Sequence, residues 1–529
     1  MRTPLLGLLL TSALLTACGR DDVWDQDTTG WVAHGLEGSV GIVDPAANRA
    51  LMLTVEQDSS VTATSLPIGH GFASSATSPG GKNLLVLSRG DQPRVRATDE
   101  APSLTVIDGG MSPKVTSRYE LADPLSGLAV DPEARFAILY PEAADSSFVE
   151  NPNELCVVDL DAAASATNPT PVTLRSFGGR PESFFFTERL DLPGGKKRLL
   201  LVLTDRDVGV LDLEDPGAGD ITIGLSSSGE RLAPAGVAVT EGDPASSDDA
   251  RIAIRLGSDP NVVLVDLLPP QAGDAKSAHP FKPTPNLVFA GGIPSDLAFL
   301  KTDGGLRLGA LIPSASQLTL IDPATGIASA VDLGAPYEHL SIVTGLVGGT
   351  ESGADVALVW SESSGAIAFV SLGATVGKPY RAVDALELSG PVGAVLDVPS
   401  PNQHLKILAS AEGDGFFVLD LVERTVAPIF ASSAGGPATM SVAPDGRRAW
   451  VTAPEEAQIA SLDLGDLHPQ NLALAEPASQ AFDVTRRGGG RALVAIEPTA
   501  DVDLTVLDAD HPSLRTATAY ESVLLGSVR

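Results

Sequence analysis

The side chains with the sharpest chemistry in this 529-residue chain are two cysteines and seven histidines. Cys18 closes a short apolar run, Leu5 to Leu15, which Arg2 precedes. Ala17 is the small residue that a signal peptidase needs beside its cut. A cysteine at the cut adds a thiol that can be acylated. The run is shorter than the roughly 20 residues that cross about 30 Å of hydrocarbon, so it reads as a leader and not a span. Cys156 stands in Leu-Cys-Val-Val-Asp159, a strand-like run, and is expected as a buried small hydrophobe. With Cys18 blocked, Cys156 has no partner for an internal disulfide.

The remaining candidates favour structure over chemistry. His34, His70, His279, His339, His404, His468 and His511 include no pair at zinc-ligand spacing, and neither His-Glu-x-x-His nor Cys-x-x-Cys occurs. No metal or cofactor is expected. Gly224-Leu-Ser-Ser-Ser-Gly229 comes nearest to a nucleophile elbow and lacks the final glycine in register. Gly69-His-Gly71 and the Gly-Gly pairs read as turns. Asp205-Arg-Asp-Val-Gly209 and Glu412-Gly-Asp-Gly415 echo calcium loops without the distal bidentate glutamate, so they read as loops. No catalytic residue is assigned.

Composition narrows the partners. The chain holds 67 acidic against 35 basic residues, a net charge of −32, which repels nucleic acid and anionic lipid head groups. Hydrophobic residues make up 43%, enough for a sizeable core. The segment after Cys18 is acidic, polar and without periodicity, as a tether would be.

From about residue 66 onward the chain repeats. A proline recurs at Pro67, Pro124, Pro181, Pro234, Pro294, Pro336, Pro391, Pro437 and Pro477, at intervals of about 40 to 60 residues, the range of a propeller or array. In phase with it, strand-like runs end at Asp108, Asp159, Asp212, Asp266, Asp322, Asp420, Asp463 and Asp508, with Ser371 in the departing repeat. Aspartate before a turn can bond local backbone N–H groups, so these carboxylates are read as turn formers and not as a cation ring. Runs such as Asn83-Leu-Leu-Val-Leu-Ser88 are apolar at consecutive positions, which means strands buried on both faces. Four strands per repeat, with no helical periodicity, predict an all-β chain folded as one large β-propeller of four-stranded blades.

Two resemblances carry these readings further. Leu15-Thr16-Ala17-Cys18 resembles the lipobox of bacterial lipoproteins, with Cys18 as the lipidated first mature residue. That implies a lipid anchor in the bacterial cell envelope, and Gly19 in place of Asp leans towards the outer membrane. Ala443-Pro-Asp-Gly-Arg-Arg-Ala-Trp-Val-Thr452, followed by Ser461-Leu-Asp463, resembles the Tyr-Val-Thr-Asn type of β-propeller repeat. The likeness extends, more loosely, over residues 66–520.

The expected organisation is a lipoprotein signal peptide at 1–17, an acidic tether at 18–38 and a propeller at 39–529. Nine full repeats are visible. The C-terminal run Ser522–Val528 is expected to join strands from 39–66 in a composite closing blade. Two functions follow. One is a non-catalytic binding or scaffold module for an envelope protein or glycan. The other, which the repeat type also hosts, is a lactone hydrolase or quinone-dependent dehydrogenase with its site at the central channel. Binding is preferred, because an enzyme needs titratable groups converging there. A binding site is expected in the insertions Gln92–Pro102, Ala143–Asn153, Glu241–Ala250 or Gln271–Pro285, which the repeat does not require.

Overall fold

The computed structural model describes residues 30–526, apart from 143–146, 166, 176–179, 226–231, 242–249, 271–278, 344–353, 374–382, 414, 432–437, 454–455, 475–476, 497–501, 514, 516 and 522. Leu15, Thr16, Ala17 and Cys18 lie outside these residues, as does most of the Gly224–Gly229 stretch and of the insertions Glu241–Ala250 and Gln271–Pro285, and the first four residues of Ala143–Asn153.

Forty strands form ten four-stranded antiparallel sheets, each a meander in chain order. They are the blades of one β-propeller, spanning residues 32–67, 72–120, 127–173, 181–224, 234–289, 296–332, 339–387, 392–431, 439–473 and 480–521. The first strand of each blade is innermost. Pro124, Pro181, Pro234, Pro294, Pro336, Pro391 and Pro477 lie at or just before these first strands, where a chain leaving one blade must turn inward, while Pro67 ends the outermost strand of blade 1.

The consecutive apolar runs explain how the blades stack. In blade 2, Leu84 and Val86 pack towards blade 1, whereas Leu85 and Leu87 pack towards blade 3. In blade 4, Leu200 and Val202 face blade 3, and Leu199, Leu201 and Leu203 face blade 5. Each such strand alternates between two cores, so it can afford no polar position. Burying each leucine contributes about 1.5–3 kcal/mol. Ten hydrophobic clusters result, one at each seam of the ring.

One of those clusters closes the ring. Val40, Ile42, Leu51 and Leu53 of blade 1 pack on Val484, Val494, Ile496 and Val506 of blade 10. The Thr485 amide donates to the Glu37 carbonyl (3.0 Å) and the Arg487 amide to the Val55 carbonyl (2.8 Å). The Tyr520 hydroxyl donates to the Ser59 carbonyl (2.6 Å). Gly35 is required here, because an added Cβ would lie 2.7 Å from the Phe482 ring.

This closure corrects the expected composite blade. Blade 1 is wholly N-terminal, because Val32–Gly35, inside the segment read as tether, supplies its innermost strand. Its four positions are thus filled. The described residues of the C-terminal run add no strand; Val523–Gly526 forms a short helix whose Leu524 is buried in the closing cluster. The count is ten blades, and face-to-face packing closes the ring.

Candidate functional site at the seam of blades 9 and 10

A meander blade puts its first and third turns on one rim of the ring and its second turn on the other. The strand-end aspartates of blades 2–4, 6 and 8–10 share the first rim. Asp108, Asp159, Asp212, Asp322, Asp420, Asp463 and Asp508 each accept backbone N–H bonds of 2.8 to 3.1 Å from the residues just after them. This is the turn role expected of them.

A second regularity on that rim escaped the sequence reading. A basic residue recurs at or near the start of the second strand, and the antiparallel register sets it beside the aspartate at or near the end of the third. The pairs are Arg135–Asp159 (3.4 Å), Lys197–Asp212 (2.8 Å), Arg251–Asp266 (2.5 Å), Arg307–Asp322 (3.4 Å) and Arg448–Asp463 (3.3 Å). The signal was present in Arg448, which figured only within the repeat-like segment Ala443–Thr452.

At blades 9 and 10 one of these pairs, Arg448–Asp463, borders a cleft of about 600 Å³. Blade 8 contributes Pro401 and Asn402, blade 9 Asp445, Arg447, Arg448 and Asp463, and blade 10 Asp483, Arg491, Asp510 and His511. Turn chemistry positions several of these groups. Asp445 accepts the Arg447 amide (3.0 Å), and Gly446 takes a positive φ of 65°. Added bulk at Gly446 is also blocked, since a Cβ would meet the Pro399 carbonyl at 2.2 Å. The Asn402 amide donates to the Gly446 carbonyl (2.9 Å), tying blade 8 to blade 9.

Two ion pairs border the cleft. Arg448 meets Asp463 and also donates to the Asp510 carbonyl (3.3 Å) across the seam. Arg491 meets Asp483 (2.5 Å), and its amide donates to the Asp510 carboxylate (3.3 Å). Asp483 is almost fully buried. Burial pushes its carboxyl up to about 6, against the opposing pull of Arg491. Arg447 is exposed and joins neither pair.

The histidines scatter. His34, on an innermost strand, bonds the Ser75 hydroxyl (2.8 Å), and burial holds its ring below the usual histidine range. His70 lies between Asp91 (3.0 Å) and Glu100 (3.2 Å), at the foot of the insertion Gln92–Pro102. His279 is buried against Phe281, and burial lowers its pKa too. His339 stacks on Trp360 and meets Glu362 (2.9 Å). His404 and His468 sit on or beside the strands of blades 8 and 9, and only His511 lines the cleft. Among the described residues no group of three or more His, Cys, Asp or Glu could hold a metal ion.

Two other places invite a catalytic reading. Ser361 and Ser363 donate to Glu338 (2.7 and 2.9 Å), which also accepts the Glu362 amide (2.7 Å). That network clamps a turn, and His339 bonds Glu362 instead of either serine. Cys156 lines a hollow of about 370 Å³ beside Leu121, Leu125 and Pro171. Burial pushes its thiol up to about 12, so it stays protonated and unreactive. Of the sequence-derived sites, Asp205–Gly209 divides into a turn at Asp205 and Arg206 and the start of the strand Asp207–Asp212, and the Thr204 hydroxyl donates to the Asp207 carboxylate (2.7 Å) across that turn.

The molecule is therefore a ten-bladed β-propeller with a polar cleft on one rim. No family model matches the chain, and no curated protein matches it by sequence. Among solved structures it is similar to the dihydro-heme d1 dehydrogenase NirN in complex with DHE, at 12% identity and a TM-score of 0.40, over 85% of this chain and 76% of that one. It is also similar to AztD of Citrobacter koseri, at 11% identity and a TM-score of 0.36, over 81% and 91%. A eukaryotic initiation factor gives 11% identity and a TM-score of 0.41, over 92% and 96%. These likenesses concern the fold alone.

Proposed function

We propose that this protein is a non-catalytic binding module held at the bacterial cell envelope by a lipid on Cys18, most naturally at the outer membrane. The partner would be an envelope protein or glycan. The observation that carries the binding reading is the cleft at blades 9 and 10, a concave polar surface whose arginines and aspartates are held in place by turns and by one another. Preorganised groups of this kind lose little freedom when a ligand arrives. The anchor reading is carried by residues 15–18. With the propeller starting at Val32, a tether over 18–31 would reach about 20 Å from the membrane.

Two variants test this. Cys18→Ser should release the protein from the membrane fraction while leaving its folded body intact. In that released protein, binding to isolated envelopes should be saturable and should fall at least tenfold with Arg447→Glu. An unmodified N-terminus in the mature protein would overturn the anchor. Binding that ignores Arg447→Glu would overturn the cleft as the binding surface.

A further inference from the structure

We propose that the cleft between blades 9 and 10 takes a neutral saccharide. This deepens the binding-module reading and rests on it. A guanidinium can only donate hydrogen bonds and a carboxylate can only accept them, whereas a sugar hydroxyl does both. A surface that sets donors beside acceptors therefore matches a pair of neighbouring hydroxyls, each giving to a carboxylate and receiving from a guanidinium. The cleft presents that alternation in Arg448 beside Asp463 and in Arg491 beside Asp483; Asp510 is fixed next to them by its main-chain carbonyl, which accepts from the Arg448 guanidinium, and by its carboxylate, which accepts the Arg491 backbone amide.

Charge argues for neutrality. Three arginines and four aspartates line the cleft, a near balance within a chain of net charge −32. An anion would meet four carboxylates there and a repelling molecule beyond. A cation would meet three guanidinium groups. A polyhydroxylated neutral ligand meets neither penalty. The volume of about 600 Å³ lies inside the roughly 300–1,000 Å³ of small-molecule sites.

The accessible groups are Arg447, Asp510 and His511, all exposed. Arg447 is the sharpest handle, because its side chain takes part in neither ion pair of the cleft. Its amide, which holds the turn through Asp445, survives any side-chain substitution.

Titration calorimetry on the full, detergent-solubilised chain tests the idea. The probes are maltohexaose, cellohexaose and an N-acetylglucosamine tetramer, with oligogalacturonate as the anionic arm and free glycine as the zwitterionic arm. At least one neutral oligosaccharide should bind. Arg447→Ala and Asp510→Asn should each weaken it about tenfold, the loss of one hydrogen bond to a charged group, with the melting temperature unchanged. Raising salt from roughly 0.05 to 0.5 M should leave the affinity within twofold, as screening acts on charges. The proposal falls if no neutral oligosaccharide binds, if binding ignores both substitutions, or if oligogalacturonate or glycine binds more tightly. Should the envelope binding still depend on Arg447 in any of these cases, the saccharide is refuted and the binding module stands.

Discussion

At the seam of blades 3 and 4, the Arg198 side chain is 2% exposed and lies 3.3 Å from Asp131, which is 0% exposed. At the seam of blades 9 and 10, Arg448 is 22% exposed and lies 3.3 Å from Asp463, which is 39% exposed. Arg448 opens the second strand of blade 9 and meets Asp463 of its own blade, whereas Arg198, the fourth residue of the second strand of blade 4, reaches Asp131 of blade 3. The difference lies in the first hairpin. In blade 4 it runs through Pro181–Leu192 and Gly195–Thr204, far longer than Thr439–Val442 and Arg448–Ala453 in blade 9. The extension buries Leu190 and Leu192 and brings Arg189 onto both Glu133 (2.9 Å) and Glu214 (3.0 Å). Arg198 is thereby roofed over and locks two blades together. In blade 9, where the hairpin is short, Arg448 and Asp463 stay in contact with water and border a cleft. Between blades 4 and 9, hairpin length thus separates a structural arginine from an available one; in blade 10, whose hairpin is also short, Asp483 is buried all the same.

The largest effect should come from Arg198→Ala. It leaves Asp131 buried without its cation, a defect of about 3–5 kcal/mol. Thermal or urea unfolding should shift accordingly, and a change within about 1 kcal/mol would break the contrast between the two seams. Asp131 also accepts the amides of Arg135 (2.6 Å) and Phe136 (2.7 Å), so the carboxylate itself cannot move away.

A smaller effect attaches to Asp483 and runs with pH. Its native carboxyl titrates at about 6, above the ordinary aspartate value. Between about pH 4 and 6 the native state then holds a proton that the unfolded chain has already lost. The contribution of Asp483 to stability is therefore present below about pH 4 and is lost as pH rises through 6. Asp483→Asn should flatten that part of the melting-temperature profile. A carboxyl resonance titrating near 4 would show that Arg491 outweighs burial and that the cleft floor is wetter than its exposure implies.

The smallest effect is expected from Arg448→Ala, under about 1 kcal/mol, because the pair is partly solvated and worth little. A loss comparable to that of Arg198→Ala would mean that the cleft arginines serve the fold. The open seam would then be a second lock and not a binding surface.

Much of this molecule was legible in its residues. Runs such as Leu84–Leu87 are apolar at every position because each strand faces two cores, and that alone distinguishes a propeller blade from a one-sided sheet. Asp108, Asp463 and their counterparts announced turns, since a carboxylate two residues from a free amide closes locally. Those features depend on neighbours in sequence or on the strand period, so they survive without knowledge of the fold. Three things did not. The strand Val32–Gly35 is four residues long and follows directly on a polar, acidic stretch, and it is its pairing with Val40–Asp44 that makes it a strand. The fate of the C-terminal run was decided by occupancy, because blade 1 had already filled its own four positions. The cleft joins side chains from residues 401 to 511 on three blades, and each arginine and aspartate looks like any other turn residue until ring closure sets neighbouring rims side by side. Local hydrogen bonding and burial are written along the chain. Which edges are free, and which turns meet, is settled only by the packing of ten blades around one axis.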